Sequence, residues 1–148
     1  MKPRIIPPVY FFLFLSLMIA LHFFFPVKKV VMPPYSCTGF LLIALGLAVA
    51  AWARLLFKAR DLPVRPGEDL KDIETSGPFR FTRNPMYLGM TVVLLGGSIG
   101  FGSLTAFLCP LAFFVVINLI FIPFEERKME ATFGKKYLEY KHRVRRWL

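Results

Sequence analysis

Two short polar stretches interrupt an otherwise apolar chain, and their residue types are ones that bind charged small molecules. The first is Arg83-Asn84-Pro85-Met86-Tyr87, inside Thr75 to Gly89, where a basic loop runs into an apolar helix. The second is Phe124-Glu125-Glu126-Arg127, where the last apolar run ends. Ionisable groups at a membrane boundary are costly unless they are paired or used. Arg83 and Glu125 can form a structural ion pair. They can equally form two walls of a pocket for a small zwitterion that carries a carboxylate and a cationic group. Metal chemistry has no ligand set here: Cys37 and Cys109 lie in apolar segments without metal-ligand spacing and read as small core residues. His22 stands alone in an apolar run and reads as a packing or interfacial residue, and His142 as a surface residue of the tail. No G-x-G-x-x-G follows a strand, so a dinucleotide-binding α/β domain is not expected.

Bringing the two borders together requires a particular arrangement of spans. Of the 148 residues 56% are hydrophobic and 17 are Phe, too apolar for a soluble domain of this length. The expected fold is therefore an all-α membrane protein of about four transmembrane helices, at 9–27, 36–57, 86–100 and 103–124, in one domain covering 1–148. The first run follows a basic start but has no small-residue cleavage site, so it reads as a retained anchor. The second is rich in small residues (Gly39, Gly46, Ala50, Ala53) that let a neighbouring helix approach closely. The loop from Lys58 to Asn84 is long for so compact a chain, which marks it as functional, and Glu68 to Ile73 can form one short helical turn within it. Pro85 opens the third span where its missing N–H costs nothing. The last two spans form a tight hairpin, so the Arg83 and Glu125 borders become neighbours. From Glu125 to Leu148 the apolar residues Met129, Phe133, Tyr137, Tyr140, Val144 and Trp147 recur every three or four positions. That spacing predicts a basic amphipathic helical tail in the membrane interface, bent or broken at Gly134. The net charge of +10 belongs beside the spans, with no nucleic-acid partner implied. With four spans, Lys28 and Lys29 are the only basic residues on one side, and the positive-inside rule places the termini, the long loop and both borders in the cytoplasm.

The stretch Thr75 to Gly89 resembles the R-H-P-x-Y-x-G region of the isoprenylcysteine carboxyl methyltransferases and related phospholipid methyltransferases. Glu125-Glu126, followed by Phe133-Gly134, Tyr137, Tyr140 and Arg143-Val144, resembles that family's acidic pair and F-G-x-x-Y-x-x-Y tail. The two blocks stand in the family's order, separated by one apolar hairpin, and cover about half the chain. The resemblance implies a multi-pass methyltransferase of a bacterial or archaeal cell (inner) membrane, with S-adenosyl-L-methionine as cofactor and no metal. It places the donor in a cytosol-facing pocket and brings a lipophilic methyl acceptor from the membrane lipid bilayer. That acceptor is an isoprenylcysteine carboxylate-like group, a phospholipid amine or a small thiol. Carried over position by position, the cofactor contacts are Lys71, Asp72, Ile73, Glu74, Phe79, Asn84, Pro85, Met86, Tyr87 and Glu125. The catalytic set is Arg83, Tyr87, Glu125 and Glu126. Glu125 suits the donor's ammonium group, Tyr87 supplies a hydroxyl, and Arg83 either faces the donor's carboxylate or holds Glu126. Phe79 suits a cation–π contact worth roughly 0.5–2 kcal/mol.

Three positions depart from the family pattern: Asn84 replaces its His, Phe79 its Tyr, and Phe121 an acceptor-binding Arg of the eukaryotic prenylcysteine enzymes. Asn does not titrate near neutral pH, so this stretch offers no general base. Two other readings compete. One is a nicotinamide-dependent membrane reductase of the sterol-reductase type, for which the chain is short of spans. The other is a non-catalytic membrane protein whose borders are structural ion pairs.

Overall fold

The computed structural model describes residues 6–60 and 72–148. The chain forms α1 (Pro7–Phe24), α2 (Thr38–Ala59), α3 (Pro85–Phe101), α4 (Leu108–Val116), α5 (Ile122–Phe133) and α6 (Lys135–Arg143), and no strand is present among the described residues. Three helical stretches, Pro7–Phe24, Tyr35–Ala59 and Leu104–Phe133, are long and apolar enough to cross a membrane, and α3 is a shorter apolar helix. Large side chains such as Phe12, Phe40 and Leu119 are exposed along them. In water this would be prohibitive; in a bilayer it is the lipid-facing surface.

Small residues fix the pairing of α2 with α3. A β-carbon at Gly46 would sit 2.6 Å from the Gly89 carbonyl oxygen, and one at Gly89 would sit 2.5 Å from the Gly46 carbonyl oxygen. Gly39 and Gly96 face each other two turns further along. Backbones this close leave room for no side chain, which is how apolar helices associate where lipid competes equally for their surfaces. The expected hairpin forms: α3 ends at Gly102, in the left-handed region at φ 69°, and Ser98 Oγ, fully buried, donates 2.9 Å to the Ala106 carbonyl across the turn. The segment after α1 closes this far end, with the Leu104 N–H donating to the Lys28 carbonyl at 2.8 Å. The core lies where Met18 of α1, Leu94 of α3 and Phe113 of α4 meet.

Several expectations change. The last span does not stop at Phe124. The helix runs through a π turn at Ile117–Phe121 and on to Phe133, so Glu125 and Glu126 lie inside it. Pro123 lacks the N–H for an ordinary helical bond, and the π turn just ahead of it re-registers the backbone. The tail is not one helix over 125–148. Gly134, at φ 51°, separates α5 from α6 as expected, but α6 ends at Arg143 and Val144 is extended. The tail's apolar stripe also divides. Tyr137 and Tyr140 pack on Ile73 with Met129, Phe133 and Val144, while Trp147 turns back onto Phe114 of α4. Cys37 is exposed at the start of α2 and is no core residue, whereas Cys109 is buried as expected. His22 packs as expected, stacked on Phe101 at 4.5 Å with Nδ1 3.0 Å from Ser103 Oγ. Most of the helical turn expected over Glu68 to Ile73 lies outside the described residues, and Asp72 and Ile73 are not helical.

Candidate functional site

At the end of the bundle where α3 begins, a cavity of about 390 Å³ opens between α2, α3, α5, α6 and the segment before α3. That volume lies in the ordinary range for small-molecule sites. Each wall has a local cause. Pro85 starts α3 with Asn84 as N-cap, but the Asn84 side chain makes no cap and instead donates from Nδ2 to the Arg146 carbonyl at 2.9 Å. One turn further on, Tyr87 faces across to α5 and its hydroxyl donates to Glu125 Oε1 at 2.5 Å.

Adjacent residues on a helix point about 100° apart, so Glu125 and Glu126 serve different neighbours. Glu126 is buried and meets two guanidiniums. Arg146 grips it with a two-point fork, Nε to Oε1 at 3.1 Å and Nη2 to Oε2 at 2.7 Å, and Arg83 Nη1 lies 2.9 Å from Oε1. The Arg83 contact is close in charge but poor in angle. Neither Nε nor Nη1 of Arg83 makes a hydrogen bond among the described residues, although only 9% of its side chain is exposed. The Arg83–Glu125 ion pair that the sequence allowed is therefore not formed. Arg83 stands against Glu126, and Glu125 belongs to Tyr87.

The segment before α3 is latched from both sides. Glu74 accepts from the Ser76 N–H at 2.8 Å and its hydroxyl at 2.7 Å, and pairs with Arg60 Nε at 2.9 Å. Burial alone would raise the Glu74 carboxyl, but the Ser76 hydrogen bonds and the Arg60 charge outweigh it and hold the carboxyl below its usual value. Asp72 pairs with Lys136 of α6 at 2.5 Å. Tyr140 donates to the Phe79 carbonyl at 2.8 Å, and the Phe79 ring packs edge-on against Phe57 at 5.2 Å. Burial pushes the Tyr137 and Tyr140 hydroxyls up, against the pull of the Arg83 guanidinium beside them, so both stay protonated.

Of the site residues expected from sequence, Asp72, Ile73, Glu74, Phe79 and Arg83 to Tyr87 line this one cavity, together with Glu125 and Glu126. Lys71 lies outside the described residues. Sequence reasoning missed Tyr137, Tyr140 and Arg54 as lining residues, and Pro7 and Pro8 at the start of α1. The two tyrosines were visible as the paired Tyr of the tail, and the prolines share the predicted cytoplasmic side. Arg146, which fastens Glu126, gave no signal beyond being one of many basic tail residues.

The fold is that of a helical membrane protein with a cavity at one end, lined by apolar side chains and a few ionisable ones. Residues 35–136, more than half of the chain, match the phospholipid methyltransferase family, and the chain belongs to that family. It is also similar to an uncharacterized protein of Haemophilus influenzae, with 41% identity over 63 residues that make up 43% of this chain and 100% of that protein. No solved structure matches the chain.

Proposed function

We propose that this membrane methyltransferase uses S-adenosyl-L-methionine and methylates a lipophilic acceptor that reaches the cavity from the bilayer. One observation carries the reading. A single cavity is lined both by a buried guanidinium with unused N–H groups, Arg83, and by a carboxylate, Glu125. That pair suits the carboxylate and ammonium of an amino-acid moiety, and the Phe79 and Tyr137 side of the cavity suits an adenosine group. Glu74 and Ile73 border the same space, as do Asn84, Pro85 and Met86 beside Tyr87.

When bound, the donor supplies a methyl group already activated by its sulfonium. The chain's own part is alignment and exclusion of water. Glu125 and Tyr87 hold the ammonium and Arg83 the carboxylate at the amino-acid end of the ligand, and the α6 tyrosines cover it. Leu47, Ala50 and Met90 give the cavity an apolar flank between α2 and α3, where an acceptor from the lipid can lie. Phe121, the position of the prenylcysteine enzymes' arginine, is buried against Tyr10 at 5.2 Å, so no guanidinium there receives an acceptor carboxylate. This favours a phospholipid amine or a small lipophilic thiol. Purified protein incubated with labelled donor and a whole-membrane lipid extract should label a lipid-soluble product. Label found only in water-soluble material would refute a lipophilic acceptor.

The site is proposed to face the cytoplasm, on the strength of the basic residues gathered at that end. In a Cys37→Ser background, Met32→Cys on the opposite loop should react with an impermeant maleimide in intact cells. Reaction only after lysis would reverse the orientation.

A further inference from the structure

Residues 145–147 are stitched to the segment that opens α3: the Arg83 N–H donates to the Arg145 carbonyl at 3.0 Å, and Thr82 Oγ1 and Asn84 Nδ2 donate to the Arg146 carbonyl at 3.1 and 2.9 Å. On the other side they reach the π turn of the last span. Asn118 Oδ1 accepts from Trp147 Nε1 at 3.1 Å and from Arg146 Nη1 at 3.3 Å. Arg146 thus touches three separate parts of the chain through one guanidinium and one carbonyl, and its fork lies on Glu126.

We propose that Arg146 is a positioning residue for the donor site: by holding Glu126 in a two-point grip, it leaves Arg83 with charge and N–H groups free for the donor's carboxylate. The inference rests on the reading of the cavity as an S-adenosyl site. Its physical basis is a competition. Glu126 is one buried carboxylate between two guanidiniums, and a bidentate grip satisfies a carboxylate better than a single contact. While Arg146 holds both oxygens, Arg83 has only the ill-aligned contact with Glu126 through Nη1, beside its hydrogen bond to the Tyr137 hydroxyl, and its Nε has no acceptor among the described residues. Lys141 Nζ, 4.0 Å from Oε2, is too distant to take over the grip. Without Arg146, Glu126 can turn onto Arg83 and form the tight pair itself. An anionic ligand would then have to displace a buried carboxylate.

The test compares two ligands on five proteins: wild type, Arg146→Gln, Arg146→Lys, Glu126→Gln, and the Arg146→Gln/Glu126→Gln double variant. S-adenosylhomocysteine carries the amino-acid carboxylate; methylthioadenosine lacks it. Arg146→Gln should weaken S-adenosylhomocysteine roughly tenfold or more and leave methylthioadenosine within about twofold. Adding Glu126→Gln should recover most of the lost affinity, because the competing carboxylate is gone. Arg146→Lys, which keeps the charge but not the fork, should fall between wild type and Arg146→Gln. Equal weakening of both ligands, or a double variant worse than Arg146→Gln, would show a merely structural role and overturn the proposal. If the wild type binds methylthioadenosine and S-adenosylhomocysteine equally well, Arg83 does not read the carboxylate and the proposal falls while the S-adenosyl site stands. If it binds neither, the S-adenosyl reading itself fails and takes this inference with it.

Discussion

Glu125→Gln should cut the affinity for S-adenosylhomocysteine at least tenfold, and with it most or all of the ligand's thermal stabilisation. The substitution keeps the size of the side chain and an oxygen to accept the Tyr87 hydroxyl, whose hydrogen bond spans 2.5 Å. It removes the one formal charge that this wall offers to a cation. A charge-assisted hydrogen bond is worth roughly 1.5–3 kcal/mol, and about 1.4 kcal/mol is one factor of ten. Without ligand, the Gln variant should melt close to the wild type, because no ion pair among the described residues includes Glu125. An unchanged ligand response would remove Glu125 from the site.

Its neighbour should behave in the opposite way. Glu126→Ala should destabilise the ligand-free protein by about 3–5 kcal/mol, the usual cost of deleting one partner of a buried ion pair. The side chain is 8% exposed, and Arg83 facing it is 9% exposed. Its loss leaves two guanidiniums near each other with no carboxylate between them. Arg146, at 34% exposed, keeps part of its hydration, which pulls the expected loss toward the lower figure. Glu126→Gln should cost less, since the amide oxygen still accepts from Arg146. Melting curves in detergent without ligand decide this, and a Glu126→Ala protein that melts with the wild type would contradict the buried cluster described here. The expected effects of the two adjacent glutamates therefore differ: Glu125→Gln on ligand binding, Glu126→Ala first on the stability of the ligand-free protein.

The borders were legible because charge at a membrane boundary is expensive. Arg83, Tyr87, Glu125 and Glu126 stood out by type alone, and the hairpin that joins them followed from two apolar runs separated only by Gly-rich turns. The small residues of α2 announced a close neighbour, and Gly134 announced a break. Partner choice was not legible. Whether Arg83 meets Glu125 or Glu126 depends on a rotation of about 100°, which hydropathy does not fix. The inward turn of the tail was hidden for a related reason. An amphipathic stripe says that a face is covered, not whether lipid or protein covers it, and here Ile73 covers part of it. Arg146 was the hardest to see. Its partners Thr82 and Asn84 lie more than sixty residues away in sequence, and it sits in a run of basic residues that reads as a solvated surface. Cys37 was misjudged because an apolar neighbourhood in sequence is not burial when the neighbours face lipid.

If the cavity takes an S-adenosyl ligand, S-adenosylhomocysteine should raise the melting temperature of the wild-type protein in detergent. At about a hundred times Kd, binding adds about 2.7 kcal/mol to stability, so the midpoint should rise by several degrees. No rise at saturating ligand, or a rise with a nicotinamide dinucleotide in its place, would contradict the account.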